Sequence, residues 1–139
     1  MSMEIRFPGG LAVEALYKGF RIPTDQPRET GGQAAAPAPF DLFLASLGTC
    51  AGLYALRFCQ ERGLATEGLS LTLSIEKDAE ARRIRRVRLS LRLPAGFPDK
   101  YRAAIERAMD LCAVKRAIAE PPEFESVTVA QVENELAVH

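Results

Sequence analysis

Residues 37 to 63 read PAPFDLFLASLGTCAGLYALRFCQERG, and this stretch decides the fold of the chain. From Phe40 to Phe58 nearly every residue is apolar or small, so no polar stripe remains that could face water. The pattern predicts one helix that begins at Pro39, ends at Gly63 and is buried on most sides at the centre of the fold. Cys50 lies near its middle, either as a small hydrophobe that packs or as a thiol in a shielded pocket.

The composition predicts a single globular domain over residues 1–139. Hydrophobic residues make up 47% of the chain, which is enough for one core. Eighteen basic residues balance eighteen acidic ones, which argues against nucleic acid or an acidic membrane as the main partner. Asp41 and Arg57 interrupt the central apolar run, so it resembles neither a secretory signal nor a membrane span. We therefore expect a soluble, cytoplasmic protein.

The cysteines and the histidine limit which disulfides, metal sites and catalytic pairs the chain can form. Three cysteines, at positions 50, 59 and 112, are an odd number without CxxC spacing, a pattern that predicts neither a disulfide framework nor a zinc ribbon. The only histidine is His139, the last residue. A Cys-His or Ser-His pair is therefore excluded as the means of activating a nucleophile. If Cys50 reacts, another group must stabilise its thiolate.

The N-terminal part of the chain predicts strands followed by a loop. The segments Met3 to Phe7 and Leu11 to Tyr17 are separated by the turn signal Pro8-Gly9-Gly10, which favours a hairpin. A third short strand is expected at Phe20 to Ile22. The following PTDQPRETGGQAAAPAP is too rich in small and turn-forming residues to build a core, so it is expected to lie as a loop across the surface.

After the central helix the hydrophobic period changes from helical to alternating. Leucines and Ile75 alternate with polar residues from Leu69 to Glu76, and a second alternating run extends from Arg86 to Leu93. A polar turn at Lys77 to Ala81 connects them, so the two runs are predicted to pair as an antiparallel hairpin. Its arginines are expected to form cross-strand ion pairs on a solvated face, in preference to a nucleic-acid site, with the acids Glu76, Asp78 and Glu80.

The last part of the chain predicts two helices and a strand. Asp99 is the predicted N-cap of a helix over Lys100 to Cys112, and a short helix is expected from Val114 to Ala119. Phe124 to Val132 is predicted as a closing strand, with a frayed end from Glu133 to His139. Paired strands with helices packed on one side, and no βαβ repeat, indicate an α+β domain.

Three parts of the sequence resemble the OsmC/Ohr superfamily of thiol-dependent hydroperoxide reductases. They are PAPFDLFLASLGTCAG, the preceding Gly-Gly loop in PRETGGQAAAP, and the later cysteine in DLCAVKRA. The resemblance covers essentially the whole chain. It implies an α+β fold with antiparallel sheets around a long buried helix, assembled as an intertwined homodimer with active sites at the interface.

The resemblance also implies roles for two cysteines. Cys50 stands at the position of the cysteine that reduces the peroxide, and Cys112 at that of the resolving cysteine. Such a pair reduces a hydroperoxide, forms a disulfide and is recycled by an external dithiol or a thioredoxin-like protein. No metal or organic cofactor is implied. Spacing alone leaves open whether the two sulfurs meet, because sequence gives no distance between them.

The sequence departs from the family pattern in the groups around the thiol. Organic hydroperoxide reductases of this superfamily carry a glutamate ten positions before the reactive cysteine, where this chain has Phe40. The adjacent Asp41 is a candidate substitute. The family's catalytic arginine corresponds to Arg6 in the N-terminal hairpin, with Arg57 and Arg28 as the other candidates.

In a second hypothesis the protein has the same fold but does not catalyse a reaction. Phe40 in place of an acid favours a scaffold that binds a small apolar molecule, or a stress-associated structural dimer in which Cys50 only packs. Cys59 is expected to be a core residue under either hypothesis. Arg57 is likewise a candidate for an ion pair with Glu61, four residues further along the helix.

Overall fold

The structure, a computed structural model, describes residues 1–131 as two antiparallel sheets and three helices. Short 3₁₀ turns lie at Arg28–Thr30 and Asp99–Tyr101. In chain order the elements are β1 Glu4–Gly9, β2 Ala12–Tyr17, β3 Phe20–Thr24, α1 Pro39–Glu61, β4 Ser70–Asp78, β5 Arg83–Arg92, α2 Arg102–Met109 and α3 Ala113–Ala119. The α+β class and both predicted hairpins are confirmed.

Strands β4 and β5 pair in the register that the alternating pattern predicts. Leu71 lies opposite Leu91 and Leu73 opposite Leu89, which places the leucines on one face of the hairpin. On the other face the predicted cross-strand ion pairs form. Arg86 Nη1 lies 3.6 Å from Glu76 Oε2, and Arg83 Nε lies 4.0 Å from Asp78 Oδ2.

The end of α1 follows the predicted stop signal. Gly63 has φ +62°, in the left-handed region that glycine adopts without strain. This turn lets the Leu64 N–H donate to the Cys59 carbonyl oxygen at 2.9 Å and the Gly63 N–H donate to the Gln60 carbonyl oxygen at 3.2 Å. These two bonds form a Schellman motif that satisfies carbonyls left free at the helix end.

Helix α1 buries one face within the chain, not most of its surface. Ile105 and Met109 of α2 join its buried residues in the core, and these α1 residues are Leu47, Ala51, Ala55, Phe58 and Cys59. Three large apolar residues of α1 remain exposed, by 54% for Phe40, 37% for Phe43 and 44% for Leu53. The expectation of a helix buried on most sides is therefore wrong for a single chain. By length and composition alone α1 could span a membrane, but its buried face packs as the core helix of a globular domain.

The N-terminal sheet is a meander with β2 at its centre. Its backbone contacts are made almost entirely within the sheet, whereas α1 contacts β4, α2 and α3. Apolar side chains of the sheet face solvent, with Phe7 exposed by 79% and Phe20 by 70%. One chain therefore leaves apolar surface uncovered on both this sheet and α1.

The predicted helix over Lys100 to Cys112 is shorter than its sequence pattern suggested. It begins at Arg102, after the 3₁₀ turn, and ends at Met109. No side chain caps it: Asp99 instead pairs with Arg102, with Nε 3.0 Å from Oδ1. The chain turns after Met109, and Cys112 is the N-cap residue of α3.

The predicted closing strand is wrong over its described part. Residues 124–131 have no strand pairing and are exposed. A strand needs a neighbouring strand to satisfy its backbone groups, and within residues 1–131 this segment pairs with neither sheet of its own chain. Val132 and the predicted frayed end from Glu133 to His139 lie outside the described residues.

Candidate active site

The candidate site is built from two cysteines that meet across α1 and α3. Cys50 is half-buried in the middle of α1, and Cys112 is fully buried at the first residue before α3. The Cys112 side chain acts on Cys50 as a hydrogen-bonding group and lowers the pKa of Cys50. The contact between these two thiols, which the sequence left open, is therefore present in the fold, and both are free thiols.

The surroundings of Cys50 favour its thiolate. The hydrogen bond from Cys112 is the largest of the effects that lower the pKa of Cys50, and the backbone N–H groups of Val114 and Ala113 lower this pKa further. Burial acts in the opposite direction, because it disfavours the charged form. Since the thiolate is the nucleophilic form of cysteine, the lowered pKa increases the reactive fraction at neutral pH.

The two thiols differ in their access to solvent. Cys112 has no exposed surface, whereas Cys50 is partly exposed. A small molecule arriving from solvent therefore meets the sulfur of Cys50 first. The second thiol lies behind it, where it can react with a modified Cys50 without itself being open to the incoming molecule.

The third cysteine is separate from this site. Cys59 is fully buried on the opposite side of α1, in the core with Ile105 and Met109. Burial raises its pKa, and the charge of Arg62 only partly opposes this effect. Its predicted role as a core residue is confirmed.

Asp41 and Phe40 lie at the start of α1. The Asp41 Oδ2 accepts a hydrogen bond from the Ala38 N–H at 3.0 Å, so this carboxylate caps the helix. Cys50 is nine positions after Asp41 in the helix, which corresponds to ~13 Å along the axis. The Phe40 ring packs against that of Phe43, with centroids 5.3 Å apart. The structure does not bring Asp41 or Phe40 to the thiol pair.

None of the three candidate arginines is among the main influences on the pKa of Cys50. Arg6 lies on β1, where its Nε contacts Glu4 Oε1 at 3.0 Å. Arg28 lies in the 3₁₀ turn before α1. Arg57 is exposed, two turns of α1 beyond Cys50. Over residues 1–131 it forms no ion pair, so the alternative pairing with Glu61 is absent.

Two features of the region around the site were missed from the sequence. The first is the pair of backbone amides at the start of α3, for which the only signal is the position of a cysteine just before a short helix. The second is Asp25, which is 97% buried in the loop before α1. Its signal was an acid directly after a strand, followed by a segment rich in turn-forming residues.

Asp25 organises the loop between β3 and α1. Its carboxylate accepts hydrogen bonds from the backbone N–H groups of Gln26 at 2.8 Å, Gln33 at 3.2 Å and Ala35 at 3.1 Å. The bonds from Gln26 and Ala35 lower the pKa of Asp25 most, and burial opposes them. Gly32 is required in the same loop, because a Cβ atom there would lie 2.0 Å from the Gln26 carbonyl oxygen.

Over residues 1–131, no three potential ligands among histidine, cysteine, aspartate and glutamate are close enough together to hold a metal ion. The groups that lower the pKa of Cys50 are a thiol and two backbone amides. What this arrangement can do chemically is to stabilise a thiolate and supply a second thiol to it.

The fold has close counterparts among solved structures. An osmotic stress induced and detoxification response protein from Psychrobacter arcticus is 20% identical, with 84% of this chain and 87% of that chain covered and a TM-score of 0.72. An organic hydroperoxide resistance protein OsmC from Legionella pneumophila is 21% identical, with 85% and 89% covered and a TM-score of 0.54. At these identities the likeness shows the fold.

A third structure carries a ligand. It is an organic hydroperoxide resistance protein from Vibrio cholerae with captopril in one of its active sites. It is 20% identical to this chain, the alignment covers 87% of this chain and 86% of that chain, and the TM-score is 0.50. A comparison with curated protein sequences found no significant match.

The family comparison extends over most of the sequence. The family model described as OsmC-like protein matches residues 31–127, which include α1, both strands of the β4–β5 hairpin, α2 and α3. Both Cys50 and Cys112 lie within the matched region. The chain therefore belongs to the OsmC-like protein family.

Proposed function

We propose that this protein is a cytoplasmic, thiol-dependent reductase of organic hydroperoxides, with Cys50 as the attacking residue and Cys112 as the resolving residue. One observation carries the proposal: the pKa of a partly exposed thiol, Cys50, is lowered by a second thiol, Cys112, that is fully buried. Membership in the OsmC-like family and the hydroperoxide resistance proteins among its structural neighbours support the same chemistry.

The reaction follows from this order of the two sulfurs. The Cys50 thiolate attacks one peroxide oxygen, the O–O bond breaks, and the alcohol leaves with a proton from solvent. Cys50 is then a sulfenic acid. The thiol of Cys112 attacks its sulfur, releases water and forms a disulfide. An external dithiol returns both residues to thiols by two steps of thiol–disulfide exchange.

The backbone amides of Ala113 and Val114 would hold the charge of the thiolate before the attack, since both lower the pKa of Cys50. The amides belong to the same segment as Cys112, so one turn of chain presents both the charge-stabilising groups and the resolving thiol. These backbone groups would thus take part of the role, stabilisation of the thiolate, that the family resemblance gives to an arginine.

A homodimer is part of the proposal. The exposed phenylalanines and Leu53 of α1, together with the uncovered apolar residues of the N-terminal sheet, form surface of the kind that a second copy covers. Arg6 is carried on that sheet. A dimer in which the sheet of one chain packs on α1 of the other would bring Arg6 toward the partner's thiol pair.

Peroxide consumption by the purified protein tests the function. We expect the wild-type protein to reduce cumene hydroperoxide with dithiothreitol as electron donor, and Cys50→Ser to lose this activity. Cys59→Ala is the matched control, because it also removes one thiol but leaves the pair intact. Equal consumption by the Cys50→Ser variant and the wild type would contradict the proposal.

Intact-mass analysis distinguishes the enzyme from a scaffold that binds an apolar molecule without reacting. After brief treatment with one equivalent of hydroperoxide, the reductase should lose two hydrogens through a Cys50–Cys112 disulfide. The Cys112→Ser variant should instead gain one oxygen at Cys50, which dimedone would trap. A scaffold in which Cys50 only packs would keep three free thiols under the same treatment.

A further inference from the structure

An ion pair crosses the turn that carries Cys112. The Lys115 Nζ lies 2.8 Å from the Asp110 Oδ1, with Asp110 directly after α2 and Lys115 inside α3. The pair therefore encloses Cys112 and the two backbone amides that lower the pKa of the attacking thiol. We call residues 110–115 the resolving segment. Over residues 1–131 no other ion pair links α3 to the rest of the chain.

Helix α3 has little else to hold it in place within the chain. It is seven residues long, and none of its residues is buried. A helix this short is at best marginally stable on its own in water, and most helices in proteins are stabilised by the packing of an apolar face. The position of α3 on α1 therefore depends on the turn before it and on Cys112, which is fully buried at its start.

The backbone of the turn holds Cys112 weakly. The N–H groups of residues 110–112 donate in succession to carbonyl oxygens in the last turn of α2, at 3.2, 3.1 and 3.4 Å. The longest of these bonds is the one from Cys112 to Met109, and it exceeds the usual length of an N–H···O bond. No side chain caps the start of α3. The ion pair is thus the side-chain link that closes the resolving segment.

The two charged residues are better explained by their pairing than by their own helices. Asp110 follows the C-terminal end of α2, where the helix dipole disfavours a negative charge. The Lys115 side chain is only 33% exposed, and the order imposed on it costs conformational entropy. The charge of Lys115 is not among the main influences on the pKa of Cys50. Lys115 therefore acts on the thiol pair through the position of the segment, and not as a cation beside the thiolate.

We propose that Asp110 and Lys115 are positioning residues for the resolution step, because their ion pair holds the Cys112 thiol against Cys50 while the disulfide forms. In that step the Cys112 sulfur bonds to the Cys50 sulfur, the S–O bond of the sulfenic acid breaks, and the hydroxyl leaves as water with the proton of the Cys112 thiol. The rate of such a step depends on how often the two sulfurs are correctly placed. The inference rests on the proposed function and adds two residues to it.

Competition between disulfide formation and dimedone tests the role of the pair in the full-length protein. One equivalent of cumene hydroperoxide is added in the presence of excess dimedone, and intact-mass analysis gives the ratio of Cys50 adduct to disulfide. Lys115→Met and Asp110→Asn should each raise this ratio by about two- to fivefold, the range expected for a partly exposed ion pair. Ratios equal to that of the wild type in both variants would overturn the inference.

A matched control separates positioning from a general loss of stability. Arg102→Met breaks the ion pair at the other end of α2, in which the Arg102 Nε lies 3.0 Å from the Asp99 Oδ1. It should lower the melting temperature about as much as Lys115→Met does, and leave the ratio of adduct to disulfide unchanged. An equal rise of the ratio in Arg102→Met would show that the effect comes from lost stability and would overturn the positioning role.

Charge reversal provides a rescue experiment. Asp110→Lys and Lys115→Glu should each raise the ratio, and the double variant should bring it back toward the wild-type value, because the pair is restored with the charges exchanged. A double variant no better than either single variant would contradict a role for the ion pair. Sodium chloride at about 1 M should raise the wild-type ratio and have less effect on Lys115→Met, since salt screens the pair.

The same experiment distinguishes failure of this inference from failure of the proposed function. A wild-type protein that forms neither the disulfide nor the dimedone adduct would refute peroxide reduction at Cys50, and the positioning role with it. A wild-type protein that forms the disulfide, together with Lys115→Met and Asp110→Asn variants that form it in the same proportion, would refute the positioning role alone.

Discussion

The thiol of Cys112, at the N-cap of α3, lowers the pKa of Cys50 in α1 more than any other group does. Cys112 is the N-cap residue of α3, and the backbone N–H groups of the next two residues, Ala113 and Val114, also lower the pKa of Cys50. A single short segment thus brings a thiol and two N–H donors to the Cys50 sulfur. Substitution of Cys112 removes the thiol and leaves the amides in place, so it separates their contributions.

Replacement of Cys112 should raise the pKa of Cys50. Cys112→Ala removes the hydrogen-bond donor that lowers this pKa most, whereas Cys112→Ser keeps a donor at the same position. The rate of Cys50 alkylation by iodoacetamide, followed by peptide mass spectrometry against pH, measures the shift. The profile of Cys112→Ala should move to higher pH than that of Cys112→Ser. Coincident profiles for these two variants would mean that the hydrogen bond has no influence.

Asp25 should stabilise the fold in a pH-dependent manner. Its pKa is lowered in the folded state by backbone hydrogen bonds, so its contribution is fully present above the unfolded value and is lost as pH falls through the folded one. Asp25→Ala should lower the melting temperature by several degrees at pH 7. The difference from wild type should shrink as the pH is lowered below the usual range of aspartate. A difference that stays constant down to strongly acid pH would argue against a charged acceptor.

Gly32→Ala should destabilise the same loop for a steric reason. The added Cβ would lie 2.0 Å from the Gln26 carbonyl oxygen, so the backbone must shift. We expect a loss of about 1–3 kcal/mol in the free energy of unfolding, measured by urea denaturation. Gly48→Ala is the control. Its Cβ would meet the Leu73 side chain at an ordinary 3.8 Å, and alanine favours a helix by up to ~1 kcal/mol. Equal effects of the two substitutions would contradict the close approach in the loop.

Arg62 should contribute to stability, unlike Arg57. The Arg62 guanidinium carbon lies 3.6 Å from the centre of the Phe58 ring, and its Nη1 donates to the Phe58 carbonyl oxygen at 3.3 Å. Arg62→Ala should cost roughly 1 kcal/mol in the free energy of unfolding. Arg57→Ala, on the exposed face of the same helix, should change it by less than about 0.5 kcal/mol. A larger loss in Arg57→Ala would indicate a contact made by Arg57 in the assembled protein.

Local patterns predicted most of the elements within residues 1–131. The two-residue alternation fixed the pairing of Leu71 with Leu91, because a slip by one residue would expose every leucine of the hairpin. Gly63 marked the end of α1 because its left-handed conformation is a local property. The predicted start of α2 was wrong, because Asp99 forms an ion pair with Arg102 instead of capping the helix. The sequence pattern does not distinguish between these two local contacts.

Features that depend on distant parts of the chain could not be predicted in the same way. The family resemblance identified Cys50 and Cys112 as a pair, but their contact arises from the packing of α3 on α1. Asp25 was overlooked because its three donors become neighbours only once the loop folds back. The predicted closing strand around Val127 does not form within residues 1–131, because the local sequence does not say whether a strand of either sheet lies beside it.

The difference in burial between the two thiols has a consequence for the return of the enzyme to its reduced form. A disulfide between Cys50 and Cys112 would present mainly the Cys50 sulfur to an approaching thiolate, since Cys112 has no exposed surface. Cys112 would then be the leaving group, and the mixed disulfide with the reductant would form at Cys50. The packing of α3 on α1 would thus fix the regiochemistry of recycling as well as the order of the oxidation steps.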